Sequence, residues 1–227
     1  MCGRTFFYET LSTLVDEFGI TAPPMPSNWP ARYNMPPTLD MPVVRYNAET
    51  GQRHLDLLRW GFIPPSSTEG KEAIVNARAE TITEKPMFAK SFRARRCLVT
   101  PSGFYEWRRT GKTKLPHAIR MASGRAMPMA GIWTAWKRPG TNDWIRTCAV
   151  ITCGPNALMA AIHDRMPVIL DRRDWPRWLG EEPASEAELL GLLRPCPDDW
   201  LAVTPLRQTV NDVRNDGPEC LLPLEAA

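Results

Sequence analysis

Twenty-three prolines and nine tryptophans are scattered along the whole 227-residue chain, and this spacing limits what it can fold into more than any other feature. A proline inside a helix removes a backbone donor and clashes with the turn before it, so no long helix or coiled coil fits such a sequence. Short elements must result. Runs rich in β-branched, aromatic and apolar residues predict strands over Val43–Tyr46, Leu55–Trp60, Ala73–Ala77, Cys97–Thr100, Phe104–Trp107, Met127–Trp133, Ile145–Thr152 and Leu201–Val203. Thr110-Gly111 centres a predicted hairpin turn over Arg108–Lys114, which joins Phe104–Trp107 to the strand that follows.

Three helices are expected. Leu11, Leu14, Val15 and Phe18 share one face of a helix over Glu9–Phe18, with Gly19 as a stop. A second begins near Pro155, carries Leu158, Met159 and Ile162, and ends at His163. The third opens on a capping box, Ser185 with Glu188, ahead of Leu189, Leu190, Leu192 and Leu193. Strands that mostly follow one another without helical crossovers pair antiparallel. The expected fold is therefore α+β: one domain over residues 1–227, a mostly antiparallel curled sheet or open β-barrel with flanking helices. The proline-rich stretch Ala22–Pro30 reads as a structureless loop.

No stretch approaches the roughly 18 apolar residues of a membrane span, and the N-terminus lacks a secretory pattern, so a cytoplasmic protein is expected. Six cysteines in such a chain are expected to be reduced, and with three histidines no metal and no cofactor are expected. A net charge of +3 does not by itself announce a polyanion. Its distribution is more pointed: Lys90, Arg93, Arg95, Arg96, Arg108, Arg109, Lys112 and Lys114 face one acid, Glu106, with Phe92, Phe104, Tyr105 and Trp107 between them. Such a tract suits either a solvated surface or one that neutralises phosphates and stacks bases.

The chain opens Met1-Cys2-Gly3-Arg4. Once Met1 is removed, Cys2 carries an amine and a thiol on adjacent carbons, which an aldehyde can close into a thiazolidine. Their ordinary pKa values, about 8 and about 8.5, leave both partly reactive near neutrality. Alternatively Cys2 is an ordinary early residue. Three more polar side chains stand in apolar or aromatic surroundings, where burial is costly unless the group is used. Asn76 follows Ala73-Ile74-Val75 and either orients a substrate oxygen or ends a strand. Glu106, between Tyr105 and Trp107, is either a proton shuttle or a solvent-facing strand residue. His163, before Asp164-Arg165-Met166-Pro167, is either an acid/base group or a helix cap. Arg78 projects from the same strand face as Asn76.

In order along the chain, Met1-Cys2-Gly3-Arg4, Arg32-Tyr33-Asn34-Met35-Pro36-Pro37, Trp60-Gly61-Phe62-Ile63-Pro64, Asn76-Ala77-Arg78-Ala79-Glu80-Thr81, Gly103-Phe104-Tyr105-Glu106-Trp107, His163-Asp164-Arg165-Met166-Pro167, Pro205 and Val210-Asn211 resemble the SOS response-associated peptidase family of abasic-site processing proteins. The resemblance implies a monomer that binds single-stranded DNA containing abasic sites and cross-links to it through Cys2, with self-processing peptidase and lyase activities also credited to the family. It implies catalytic roles for Cys2, Asn76, Glu106 and His163, and strand contacts from Arg4, Asn34, Trp60, Arg78, Met87, Thr152 and Arg165. In a bacterium it would imply association with the nucleoid; partners at the replication fork stay open. One departure stands out: family members place a tryptophan soon after the Trp-Gly-x-x-Pro motif, whereas Pro65-Ser66-Ser67 follows here. Trp29 or Trp107 would have to supply that ring.

Two other readings compete. Glutamine-hydrolysing N-terminal-nucleophile domains also begin Met-Cys-Gly, but they build an oxyanion hole on an Asn-Gly pair, and this chain has none. A module that holds single strands without a covalent step is the other.

Overall fold

The computed structural model describes residues 2–21, 29–111 and 113–225; most of the expected Ala22–Pro30 loop, residues 22–28, lies outside them. Twelve strands form among the described residues: β1 (Thr5–Phe7), β2 (Arg32–Met35), β3 (Asp40–Asn47), β4 (Gln52–Trp60), β5 (Asn76–Arg78), β6 (Arg96–Val99), β7 (Gly103–Thr110), β8 (Thr113–Met121), β9 (Met129–Lys137), β10 (Trp144–Cys153), β11 (Met166–Pro167) and β12 (Leu201–Pro205). The helices are α1 (Leu11–Phe18), α2 (Pro86–Ala94), α3 (Ala157–Ala160), α4 (Trp175–Leu179) and α5 (Glu186–Gly191). The architecture is a single α+β domain.

The expected curled sheet is present, and it closes. β3 and β4 form a hairpin, β6 pairs β3, β9 pairs β6, and β10 pairs β9. β10 then returns to β4 in parallel, Cys148 opposite Trp60, completing a five-stranded barrel. Closure leaves those five strands without an unpaired edge. Val43, Leu58, Trp60, Val99, Cys148 and Val150 share one face of its wall and are wholly buried. Beyond the β4 contact, the far end of β10 also carries β5 in parallel and β11 antiparallel.

A second sheet runs β12-β8-β7-β1-β2, antiparallel throughout. Its β7–β8 hairpin turns where Thr110-Gly111 predicted. Phe6 crosses β7 so closely at Gly103 that a side chain there would meet the Phe6 ring and the Ile119 carbonyl, each within 2.4 Å. That approach sets the chain start against β7.

The helices depart from expectation for identifiable reasons. α1 starts two residues late because Thr10 accepts from the Thr13 N–H as a cap, and Gly19 ends it in the left-handed region. The helix expected from Pro155 to His163 shrinks to a single turn, capped by Asn156. α2 and α4 were not expected; each contains a proline, Pro86 or Pro176. Each proline sits in the first turn, where the missing N–H costs nothing. α5 carries the predicted capping box. The predicted strand Ala73–Ala77 is corrected as well: Ile74 makes only an isolated bridge to Phe62, and the regular strand begins at Asn76.

The basic tract is not one surface. Arg96 donates to the Trp178, Phe92 and Arg93 carbonyls, Arg93 pairs with Glu186, and Arg95 lies over Trp133. These arginines hold α2 and β6 in place. Phe92, Phe104 and Tyr105 are wholly buried, so of the aromatics in the tract only Trp107 reaches the surface. All six cysteines are free and buried. No described helix is long and apolar enough to cross a membrane.

Candidate active site

The first residues run along the edge of β7. The Tyr105 N–H donates to the Arg4 carbonyl at 2.9 Å, and Thr5 pairs with Phe104. Register therefore carries Cys2 toward Glu106, and the two interact electrostatically. From the barrel side, β5 lays Asn76 beside Val150 of β10, and the buried Trp60 indole donates to the Val75 carbonyl next to it. Asn76 Nδ2 then donates to the Cys2 carbonyl at 3.0 Å. Asn76 Oδ1 is buried with no hydrogen-bond partner among the described residues. An unused buried acceptor is costly, so a donor belongs there.

A cavity of about 540 Å³ opens at this junction, lined by Gly3, Arg4, Glu106, Trp107 and His163. Arg109 and Lys114 stand at its wall on the β7–β8 hairpin. His163 arrives just after α3, its N–H held by the Met159 carbonyl at 2.9 Å. The Arg165 N–H donates to His163 Nδ1 at 3.0 Å, which requires a lone pair there. The Asp164 carboxylate, 2.9 Å from the same nitrogen, asks instead for a proton. Asp164 is 89 % exposed, so solvent screens its contact with the ring.

Burial, and secondarily the Glu106 carboxylate, push the Cys2 thiol well above its ordinary value. Burial likewise lowers Arg4, whose guanidinium lies 5.8 Å from the Trp107 ring and donates to Asn34 Oδ1 at 2.7 Å. A partly desolvated cation beside a half-exposed indole suits an anionic, ring-bearing ligand.

The other expected strand contacts divide. Arg78 is exposed and Met87 is 41 % exposed. Arg165 grips both Glu80 oxygens, at 2.6 and 2.9 Å, and also donates to the Thr152 carbonyl. Asn34, Trp60 and Thr152 have no exposed surface, so as they stand they support other residues rather than meet a ligand. Asn34 Nδ2 donates to the carbonyls of Val210, Asp212 and Asn215, while Oδ1 holds Arg4. Of the two substitutes for the absent tryptophan, Trp107 lines the cavity and Trp29 packs on the core.

Two neighbours escaped the sequence reading of the site. Asn211 accepts from the Trp107 indole at 2.6 Å across 104 residues of chain, a separation no local pattern reveals. His117 lies directly across β8 from Glu106, buried, with Nδ1 3.0 Å from the Leu115 carbonyl. Its only sequence signal was a polar residue in an apolar strand. A second cavity, of about 340 Å³, holds Trp175 and Trp200 and none of the candidate residues.

The chain that forms this junction is similar to known proteins. The SOS response associated peptidase (SRAP) family profile covers residues 1–213. The chain belongs to the SRAP family. It is 34 % identical over 224 residues to the abasic site processing protein YoqW of Bacillus subtilis, covering 97 % of this chain and 99 % of that one. It is 32 % identical to the abasic site processing protein HMCES of Xenopus tropicalis, over 83 % of this chain and 65 % of that longer one. Among solved structures, a protein from Bacteroides thetaiotaomicron superposes with a TM-score of 0.88 at 25 % identity, over 98 % of this chain and 100 % of that one. A Bordetella bronchiseptica protein at 21 % identity, with a TM-score of 0.76, shares the fold. The SRAP match spans every residue of the candidate site, from Cys2 to Asn211.

Proposed function

We propose that this SRAP protein recognises abasic sites in single-stranded DNA and captures them covalently through Cys2 once Met1 has been removed. The observation that carries the reading is the tie from Asn76 to the Cys2 carbonyl, one residue before Gly3 enters the lining of a cavity that Glu106 and His163 share. It pins the chain start where an acid, a base and an amide converge, the arrangement that imine chemistry needs.

An abasic deoxyribose is mostly a closed hemiacetal. His163 delivers a proton to the ring oxygen as the C–O bond breaks and takes one back from the hydroxyl on the same carbon, so that the aldehyde forms, while Asn76 holds the sugar. Because the thiol is kept protonated, the Cys2 amine attacks first: the C–N bond forms, the carbonyl oxygen leaves as water, and an imine remains. Glu106 then takes the thiol proton as sulfur adds to the same carbon, and that proton ends on nitrogen. The product is a thiazolidine joining chain and strand. Holding amine, thiol and sugar in one pocket makes the second closure intramolecular, with a large effective concentration.

Arg4, Arg109 and Lys114 supply a cationic wall for phosphates, and Trp107 a face for a base. A duplex would hide the sugar behind its partner strand, so an unpaired strand is the substrate. Removal of Met1 is the prerequisite, whether the site or a separate aminopeptidase performs it.

Intact mass spectrometry of the purified protein, alone and with an abasic single strand, tests the reading. Loss of Met1 and a gain equal to the oligonucleotide minus one water are expected. Cys2→Ala should bind undamaged strand but gain nothing; an equal adduct on that variant would overturn the proposal.

A further inference from the structure

The β9–β10 hairpin carries an aromatic that the fold does not use. Trp144 is 62 % exposed, more than any other large hydrophobic side chain among the described residues. The register sets Lys137 directly opposite it, and Arg146 follows two residues on, so all three share one face of the ribbon. Arg138 stands at the turn. From Thr134 to Thr147 the only acid is Asp143, and Lys137, Arg138 and Arg146 make no ion pair among the described residues.

The ribbon is built to hold this face steady. Its turn is closed by the Arg138 N–H on the Asp143 carbonyl at 2.9 Å and the Thr141 hydroxyl on the Arg138 carbonyl at 3.1 Å. On the opposite face Trp136 is buried, its indole donating to the Ser67 carbonyl at 2.8 Å and its ring lying over Gly70. One tryptophan anchors the hairpin and the other is presented to solvent. An exposed indole among uncompensated cations, carried on an anchored hairpin, combines the same residue types as Arg4 and Trp107 in the cavity.

We propose that this hairpin is a second contact for an unpaired nucleic-acid strand, a base stacking on Trp144 while Lys137, Arg138 and Arg146 neutralise phosphates. The inference rests on the single-strand reading of the main site. β10 is the link between the two: Val150 pairs with Asn76, and Trp144 stands six residues earlier, about 20 Å away along the strand. A short oligonucleotide in the cavity does not span that distance, and a longer one does.

The test is binding of undamaged single strands as a function of length, read by fluorescence anisotropy, for wild type, Trp144→Ala and Lys137→Glu/Arg146→Glu. With a probe of about 4 nucleotides all three proteins should bind alike. With one of about 16 nucleotides, wild type should gain, and each variant should lose, about tenfold in affinity. The charge-reversal variant should also show a shallower salt dependence. Trp144 and both cations are on the surface, so unchanged thermal unfolding is expected and checks the fold. Equal affinity of wild type and Trp144→Ala for the long strand would overturn the proposal, as would a wild type with no length dependence. So would an effect of Trp144→Ala confined to self-association in sedimentation. Failure of the abasic adduct with length-dependent binding intact would sink the covalent reading and leave the hairpin contact standing.

Discussion

Replacing Asn34 with Ala separates a supporting residue from a ligand contact. The side chain has no exposed surface, and its two amide hydrogens serve three carbonyls, at 3.1, 2.9 and 2.8 Å, so one hydrogen is shared. Its oxygen accepts from the Arg4 guanidinium at 2.7 Å. Each neutral bond lost is worth about 1 kcal/mol, and the bond to a charged donor about 1.5 kcal/mol, taken at the low end because Arg4 is only half-buried. Counting two hydrogens or three bonds, the total is about 3.5 to 4.5 kcal/mol, a large share of the roughly 5 to 15 kcal/mol that holds a domain folded. Urea unfolding should show the unfolding free energy fall by that amount, and the midpoint by that amount divided by an unchanged slope. Affinity for single strands should fall as well, because Arg4 loses its brace over Trp107. A stability change below about 1 kcal/mol together with lost affinity would refute this reasoning and return Asn34 to the binding surface.

The remaining predictions concern the acid, the buried imidazole and the tight crossing. Glu106→Gln should keep the fold and slow cross-linking by about 100-fold; an unchanged single-turnover rate would remove Glu106 from proton transfer. Burial, with Arg108 as a smaller contributor, lowers the His117 pKa, so the unfolded chain takes up this proton at a higher pH than the folded one. The stability from a neutral His117 is complete above the unfolded value of about 6.5 and declines as pH falls from there toward the folded value. His117→Phe should flatten the dependence of melting temperature on pH in that window, and an identical slope in both proteins would contradict the assignment. Gly103→Ala should cost about 3 kcal/mol, because the new methyl meets the Ile119 carbonyl and the Phe6 ring within 2.4 Å; a melting temperature equal to wild type would show that Phe6 can move.

The strands were legible because alternating or continuous apolar runs such as Leu55–Trp60 and Ile145–Thr152 depend on local pattern. Closure of the barrel was not, since it needs Cys148 to lie beside Trp60 across 88 residues of chain. α2 and α4 were missed: each carries a proline in its first turn, and the residue that breaks a helix interior can also begin a helix. Within the site, Glu106 and His163 stood out as polar residues in apolar runs, and the structure sets both against one cavity. Asn34, Trp60 and Thr152 came from resemblance alone, which marks a residue as needed without saying whether it faces the ligand or stands behind the residue that does.

That distinction gives the site its logic. Cys2 has little side chain and no helix or strand of its own, so its position must be imposed by others. The Tyr105 N–H fixes the chain at Arg4 and Asn76 fixes it at the Cys2 carbonyl, one anchor from each sheet. Each anchor is itself braced: Trp60 holds the Val75 carbonyl beside Asn76, and Asn34 holds Arg4. In the proposed reaction, two sheets must therefore dock correctly before Cys2 is in place to react. Burial raises the thiol pKa and keeps the group protonated, so that reaction would draw its selectivity from the amine finding a carbonyl and would close through sulfur only after the aldehyde has condensed.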